Sequence, residues 1–337
     1  MKSKFRYSLE NFRGVAIIFV MLSHISSFQS MGAASNYLFF FLGDATAWFV
    51  FISGYLFYYL EVNKFKYFDY MQKKLKYVIL PYLILSIPAI LVGLYFLRNI
   101  LYDLTPISYT FWSLLTGGMV VGPMWFIPMI VIFFLLTPVF NALAKTKYIY
   151  ISAFVALIFS IFSSRPIHNA NPVLSFLHFL GFYLLGIAAA KSVDFLDALS
   201  SSVKMKIIYA SLFVFFIAGF IYAGRVNEMG GFYDGLGLVN YIILGKLGLL
   251  IAIFFLFEQF MEQRRGMLGY LAKISFGLFF IHGFMSLVFV KFFQGMSFYN
   301  PLVKLITEIG VVVFASIAVV FLLNLVLRKW SRYVIGC

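Results

Sequence analysis

The chain has 337 residues, of which 63% are hydrophobic, 21% aromatic and only 11% charged. A soluble globule carries about a quarter charged residues, so the composition excludes one and implies an all-α, polytopic membrane helix bundle. The net charge of +14 would suit nucleic acid, but the basic residues sit in short loops between apolar spans, so membrane orientation explains them and no nucleic-acid partner is expected. The one cysteine, Cys337, excludes a disulfide framework and a Cys/His metal cluster, and no metal is expected.

The opening "MKSKFR" precedes an apolar stretch that lacks a small-residue cleavage site, which makes that stretch a retained first span rather than a signal peptide. At roughly 20 apolar residues per crossing, spans are expected at 14–31, 38–60, 77–97, 124–144, 149–163, 173–190, 207–223, 237–257, 269–292 and 303–327. That makes about ten transmembrane helices in one domain, 1–337. The Gly-broken stretch 108–122 is too short to cross and reads as re-entrant or interfacial.

Loop charge orients these spans. With the N-terminus inside, 20 of the 26 basic residues fall on the cytoplasmic side, including Lys64, Lys66, Lys73, Lys74, Lys76, Lys145, Lys147, Arg264 and Arg265. Arg98, Arg165, Arg225, Lys246, Lys291 and Lys304 are left for the outside or for spans. Both termini are therefore expected to be cytoplasmic.

A polar side chain in hydrocarbon is costly unless it faces the bundle interior or a wet cavity. Arg13 and His24 lie eleven positions apart in the first span. On one α-helix that spacing is about three turns, placing both on one face ~16 Å apart. His24, Asp44, His282 and Glu308 would line one cavity in the middle and outer half of the bilayer. Ser53 and Tyr55 flank a glycine that serves either close helix packing or substrate contact. Trp125 is either an interfacial belt residue or part of the substrate site, and Lys246 would be a structural ion pair. His168 and His178 carry no assignment.

Several segments carry a family resemblance in order along the chain. "FRGVAIIFVMLSH", "WFVFISGYLFYY", "KKLKYVILPYLI", "GPMWFIPMIVIF", "FLGFYLLGIAAAK" and "LAKISFGLFFIHG" together resemble the motifs of the bacterial membrane acyltransferase 3 family, from about residue 8 to 327. The resemblance implies transfer of an acyl group, usually acetyl from cytoplasmic acetyl-CoA, to a hydroxyl of a cell-surface or lipid-linked glycan. It implies a multi-pass protein of the bacterial inner membrane whose partners are the acyl-CoA, the glycan acceptor and membrane lipids. A neutral His24 would act as general base, with a transient acyl-histidine as the alternative. Arg13 would hold a phosphate or the pantetheine of the donor. Lys73, Lys74 and Lys76 would bind the donor's phosphates, and Asp44, Ser53, Tyr55, Trp125, His282 and Glu308 would form the acceptor site.

The chain departs from the family pattern in two places. Its basic turn has lysines where an Arg-x-x-Arg pair is usual, and lysine supplies charge without the planar fork of a guanidinium. Phe276 stands where the late motif carries tyrosine. Two other functions fit the composition: a transporter or flippase of a lipid-linked glycan, and a non-catalytic partner of a polysaccharide synthase. Consumption of acetyl-CoA discriminates them.

Overall fold

The computed structural model describes residues 6–32, 34–96, 105–118, 121–166, 169–225, 238–263, 266–293 and 300–337. Lys2, Lys4, Arg98, His168, Arg264 and Arg265 lie outside these, as does part of the 108–122 segment. Every regular element among the described residues is helical. In chain order the helices are α1 (Tyr7–Leu22), α2 (Ala34–Leu42), α3 (Thr46–Glu61), α4 (Tyr67–Lys74), α5 (Leu80–Phe96), α6 (Pro106–Thr116), α7 (Phe126–Leu135), α8 (Thr137–Ala144) and α9 (Tyr148–Ile161). They continue with α10 (Pro172–Lys191), α11 (Val193–Ala198), α12 (Ser201–Arg225), α13 (Tyr241–Phe260), α14 (Gly266–Phe293), α15 (Pro301–Ile309), α16 (Ser316–Leu327) and α17 (Ser331–Val334). A π-turn at Leu75–Ile79 joins α4 to α5, and another at Gly310–Ala315 joins α15 to α16.

Among the described residues, seven helical stretches are long and apolar enough to cross a membrane, eight if the bent pair α7–α8 counts as one span. Each expected span meets a helix, but not always a long one. The first, expected at 14–31, is corrected: α1 starts earlier and stops at Leu22, after 16 residues. The fourth is bent by 56° between α7 and α8. The fifth, α9, has only 14 residues, or ~21 Å against a hydrocarbon core of about 30 Å. Its end is satisfied by protein: Asn240 donates its backbone N–H to the Ile161 carbonyl (2.7 Å) and its side-chain amide to that of Ser163 (3.2 Å). Irregular backbone at membrane depth survives where protein supplies such partners. The 108–122 segment contains an eleven-residue helix, α6, started by Pro106 with Thr105 as N-cap and ended at Gly117 with φ +76°.

The chain gathers into two compact units, each made of separated segments. The first comprises Met1–Phe65, Pro138–Arg165 and Leu177–Ser275; the second comprises Lys66–Thr137, Pro166–Phe176 and Phe276–Cys337. In the first, glycines let helices touch backbone to backbone. A Cβ at Gly54 of α3 would strike the Tyr183 carbonyl of α10, one at Gly186 the Phe51 carbonyl, and one at Gly14 of α1 the Leu268 carbonyl of α14. The core between them is aromatic, with Phe12, Trp48, Phe51, Tyr55, Tyr183 and Phe254 buried. At the start of α1, Arg6 pairs with Asp197 (2.8 Å) and with the buried Glu258, which also accepts from Ser8.

In the second unit, Tyr82 of α5 donates to the Leu114 carbonyl of α6 (2.7 Å). After α16 the chain turns at Arg328, which has φ +50°, and the last residues fold back onto helix rather than trailing away. Ser331 and Ile335 are buried there, Gly336 at φ +80° lies on the Phe276 ring, and Cys337 Sγ accepts from Asn324 Nδ2 (3.7 Å). A Cβ on Gly336 would collide with that ring.

Candidate active site

Polar side chains end the first helix. Ser23 Oγ donates to the Val20 carbonyl (2.8 Å), and His24 Nδ1 approaches the same oxygen at 2.8 Å. The backbone tightens at that point, with His24 N–H bonded to Met21 and Ile25 N–H to Leu22. Serine and histidine so placed compete with the helical ladder. His24 thus sits in the turn after α1, not inside a continuous helix, which corrects the picture of one helical face carrying it together with Arg13. The bond to Val20 has a chemical consequence. A carbonyl only accepts, so Nδ1 carries the hydrogen, and the lone pair of the neutral ring lies on Nε2.

His24 lines a cavity of about 400 Å³ within the first unit. Ser23, Ser26, Gln29, Asn36, Phe39 and Tyr222 are among the other residues in its wall. Polar groups from the 3₁₀ turn Ser26–Ser30 and from α2 therefore face an imidazole across a small space. Leu42 and Gly43, at the end of α2, complete one side.

Just beyond them the helix breaks at Asp44, a non-glycine residue with φ +54°. Two cations hold this break. Arg165 Nε pairs with Asp44 Oδ1 at 2.8 Å, and Lys246 Nζ donates to the Phe41 carbonyl at 2.7 Å. A broken helix leaves carbonyls at its C-terminal end that need donors, and a cation suits the negative end of the helix dipole. Lys246 is 1% exposed and also lies 4.9 Å from the Trp48 ring centroid and 5.6 Å from that of Phe19. It is thus held by a carbonyl and two rings, and among the described residues it makes no direct salt bridge of the kind the sequence suggested, although the Asp44 carboxylate lies close enough to act on its charge. Asp44 takes Arg165 instead. Nearby, His178 Nδ1 and Ser163 Oγ share a hydrogen bond of 3.0 Å, and both residues are buried.

The family model for acyltransferase 3, described as an acyltransferase domain, matches residues 6–325. The chain belongs to the acyltransferase 3 family. No curated protein and no solved structure matches it. Membership together with the apolar helices makes it a membrane acyltransferase.

Within the acyltransferase frame the other expected site residues fall into three places. Arg13 is in the first unit, where one guanidinium nitrogen donates to the Ala272 carbonyl of α14 (2.7 Å) while Nε is buried without a hydrogen-bond partner. Ser53 and Tyr55 are on α3 at the Gly54 contact, with Tyr55 fully buried in the aromatic core. Neither they nor Asp44 belong to the wall of the His24 cavity.

Trp125, His282 and Glu308 belong to the second unit and are buried there, so Trp125 is no interfacial belt residue. His282 repeats the His24 arrangement, with Nδ1 2.8 Å from the Leu278 carbonyl one turn back. Glu308 lies two residues before the start of the second π-turn. The basic turn is also in this unit, and its lysines diverge. Lys74 lies over the rings of Tyr70 (4.9 Å) and Phe134 (4.8 Å), while Lys73 and Lys76 are exposed.

Arg165 is the residue whose role sequence reasoning missed. Its signal was available in principle: a lone aspartate in an apolar span requires a cation, and Arg165 was one of the few basic residues left over for the outer side.

Proposed function

We propose that the protein transfers an acyl group, acetyl in the first instance, from cytoplasmic acyl-CoA to a hydroxyl of a cell-surface or lipid-linked glycan, acting in the bacterial inner membrane. The observation that carries this reading is the His24 imidazole, oriented by the Val20 carbonyl in the wall of a cavity that Ser23, Ser26, Gln29 and Asn36 also line. In the direct route, Nε2 takes the proton of the acceptor hydroxyl as its oxygen bonds to the thioester carbonyl carbon. The C–S bond then breaks, and the CoA thiolate receives the proton from the imidazolium. Ester and free thiol result, with the imidazole restored. An acyl-histidine route uses the same nitrogen as nucleophile and divides the transfer into two steps.

Arg13 supports the donor half of the reading. Its buried Nε–H lacks an acceptor, and an unmet buried donor costs about 1–3 kcal/mol, which a phosphate or amide oxygen of the donor would relieve. Lys73 and Lys76 add positive charge suited to an anionic donor. The test is to incubate membranes containing the protein with acetyl-CoA labelled in the acetyl group and recover the envelope glycans. Base-labile label on glycan, dependent on the protein, is the expected result. Thioester left intact, with glycan export reduced in cells lacking the protein, would favour the transporter reading instead.

A further inference from the structure

The segment after residue 325 lies outside the region matched to the family, yet it is firmly docked on the basic turn. Arg332 lies with Cζ 4.0 Å above the ring centroid of Tyr77, inside the Leu75–Ile79 π-turn. Tyr333 packs beside the same ring, with centroids 5.5 Å apart. The buried Ser331 and Ile335 on either side fix this placement. Arg332 itself is exposed, as are Lys73 and Lys76 on the turn it joins.

We propose that Arg332 is a phosphate-binding residue for the acyl-CoA donor, completing from the C-terminal segment a site that the lysines of the basic turn leave without a guanidinium. The assignment rests on the acyl-CoA reading above. Lysines are point charges, whereas a guanidinium offers parallel N–H groups to two oxygens of one phosphate. Packing against the Tyr77 ring restricts the guanidinium, so less conformational freedom is lost on binding. The π-turn is what makes the shelf. Its extra residue per turn shifts Tyr77 relative to the α-helical register, and such bulges recur at functional sites. Arg328 and Lys329 on the same segment add charge of the same sign.

An anionic lipid headgroup offers the same phosphate chemistry, so the experiment separates the two sources. The purified full-length protein in phosphatidylcholine nanodiscs is titrated with acetyl-CoA and with S-acetylpantetheine, which lacks the phosphates. Arg332→Gln is expected to weaken acetyl-CoA binding about tenfold and to leave S-acetylpantetheine unchanged. Arg332→Lys should fall between, and Tyr77→Leu, which removes the shelf, should weaken acetyl-CoA alone. Equal weakening of both ligands, or of neither, would overturn the proposal. A loss confined to nanodiscs containing phosphatidylglycerol would assign Arg332 to a lipid headgroup and overturn it as well. If the wild-type protein binds no acetyl-CoA, the donor reading itself falls, an outcome distinct from a variant that binds as tightly as wild type.

Discussion

His24 draws its chemistry from a backbone carbonyl. The Val20 oxygen fixes which ring nitrogen carries hydrogen, so replacing the ring removes the base. His24→Ala is expected to reduce transfer by about 10²–10⁴-fold with unchanged membrane expression, measured as ester on the recovered glycan; near wild-type ester content would remove His24 from the mechanism. The pair beside the cavity is a structural matter. Removing one partner of a buried ion pair costs about 3–5 kcal/mol, so Asp44→Asn and Arg165→Gln should each lower the unfolding midpoint in detergent. Their combination should cost less than the sum of the two, because neither charge is then left alone. Strict additivity would mean that the 2.8 Å contact carries no coupling. The sequence disclosed that Asp44, His24 and Lys246 were out of place in hydrocarbon. It did not disclose their partners, since Asp44 and Arg165 come from distant stretches and the Lys246 cage depends on where Phe41 ends its helix.

At the scale of elements, the "SGY" of α3 is resolved by the contact of Gly54 with Tyr183. A side chain at Gly54 must push two backbones apart, and the reciprocal contact of Gly186 on Phe51 leaves no direction in which to yield. Gly54→Leu is therefore expected to abolish folded protein, read as loss of a monodisperse peak in size-exclusion chromatography. Ser53→Ala should shift the unfolding midpoint by no more than about 0.5 kcal/mol equivalent, because no hydrogen bond of that hydroxyl contributes. If Gly54→Leu were well folded, the α3–α10 crossing would be wrong. Apolar runs located the long helices, since such runs mark spans directly. It could not place breaks, which depend on single side chains: Ser23 and His24 closing α1, Lys246 holding the end of α2, Asn240 finishing α9.

For the whole molecule, the open quantity is the number of crossings. Among the described residues, strict length and hydropathy admit seven or eight, whereas the reading from apolar runs and loop charge expects about ten. The difference lies in the short α1 and α9 and in the bent pair α7–α8. With Cys337 replaced by serine, single cysteines at Thr105, Asn171 and Asn300 should react with an impermeant maleimide on intact cells. Cysteines at Lys66, Thr146 and Ser200 should react only after permeabilisation. Thr146 and Asn171 labelling from the same side would show that α9 does not cross. Charge asymmetry made the orientation legible as an expectation, because lysine and arginine counts need no tertiary knowledge. The grouping into two units was not legible, since each unit is assembled from three stretches separated along the chain.

The Phe276 ring under Gly336 has a consequence for inheritance. Where the late motif of the family carries tyrosine, this chain carries phenylalanine, and the ring face is covered by a glycine whose φ of +80° no ordinary side chain favours. The two positions are sixty residues apart in sequence but make a single fit, so neither can drift alone. Among descendants that keep the docked segment, residue 336 should remain glycine wherever 276 is aromatic, and its positive φ should favour glycine even where 276 has become small. An alignment of close homologues checks this directly: large residues at both positions in one lineage, with Arg332 retained, would mean that the segment is held by something other than this contact.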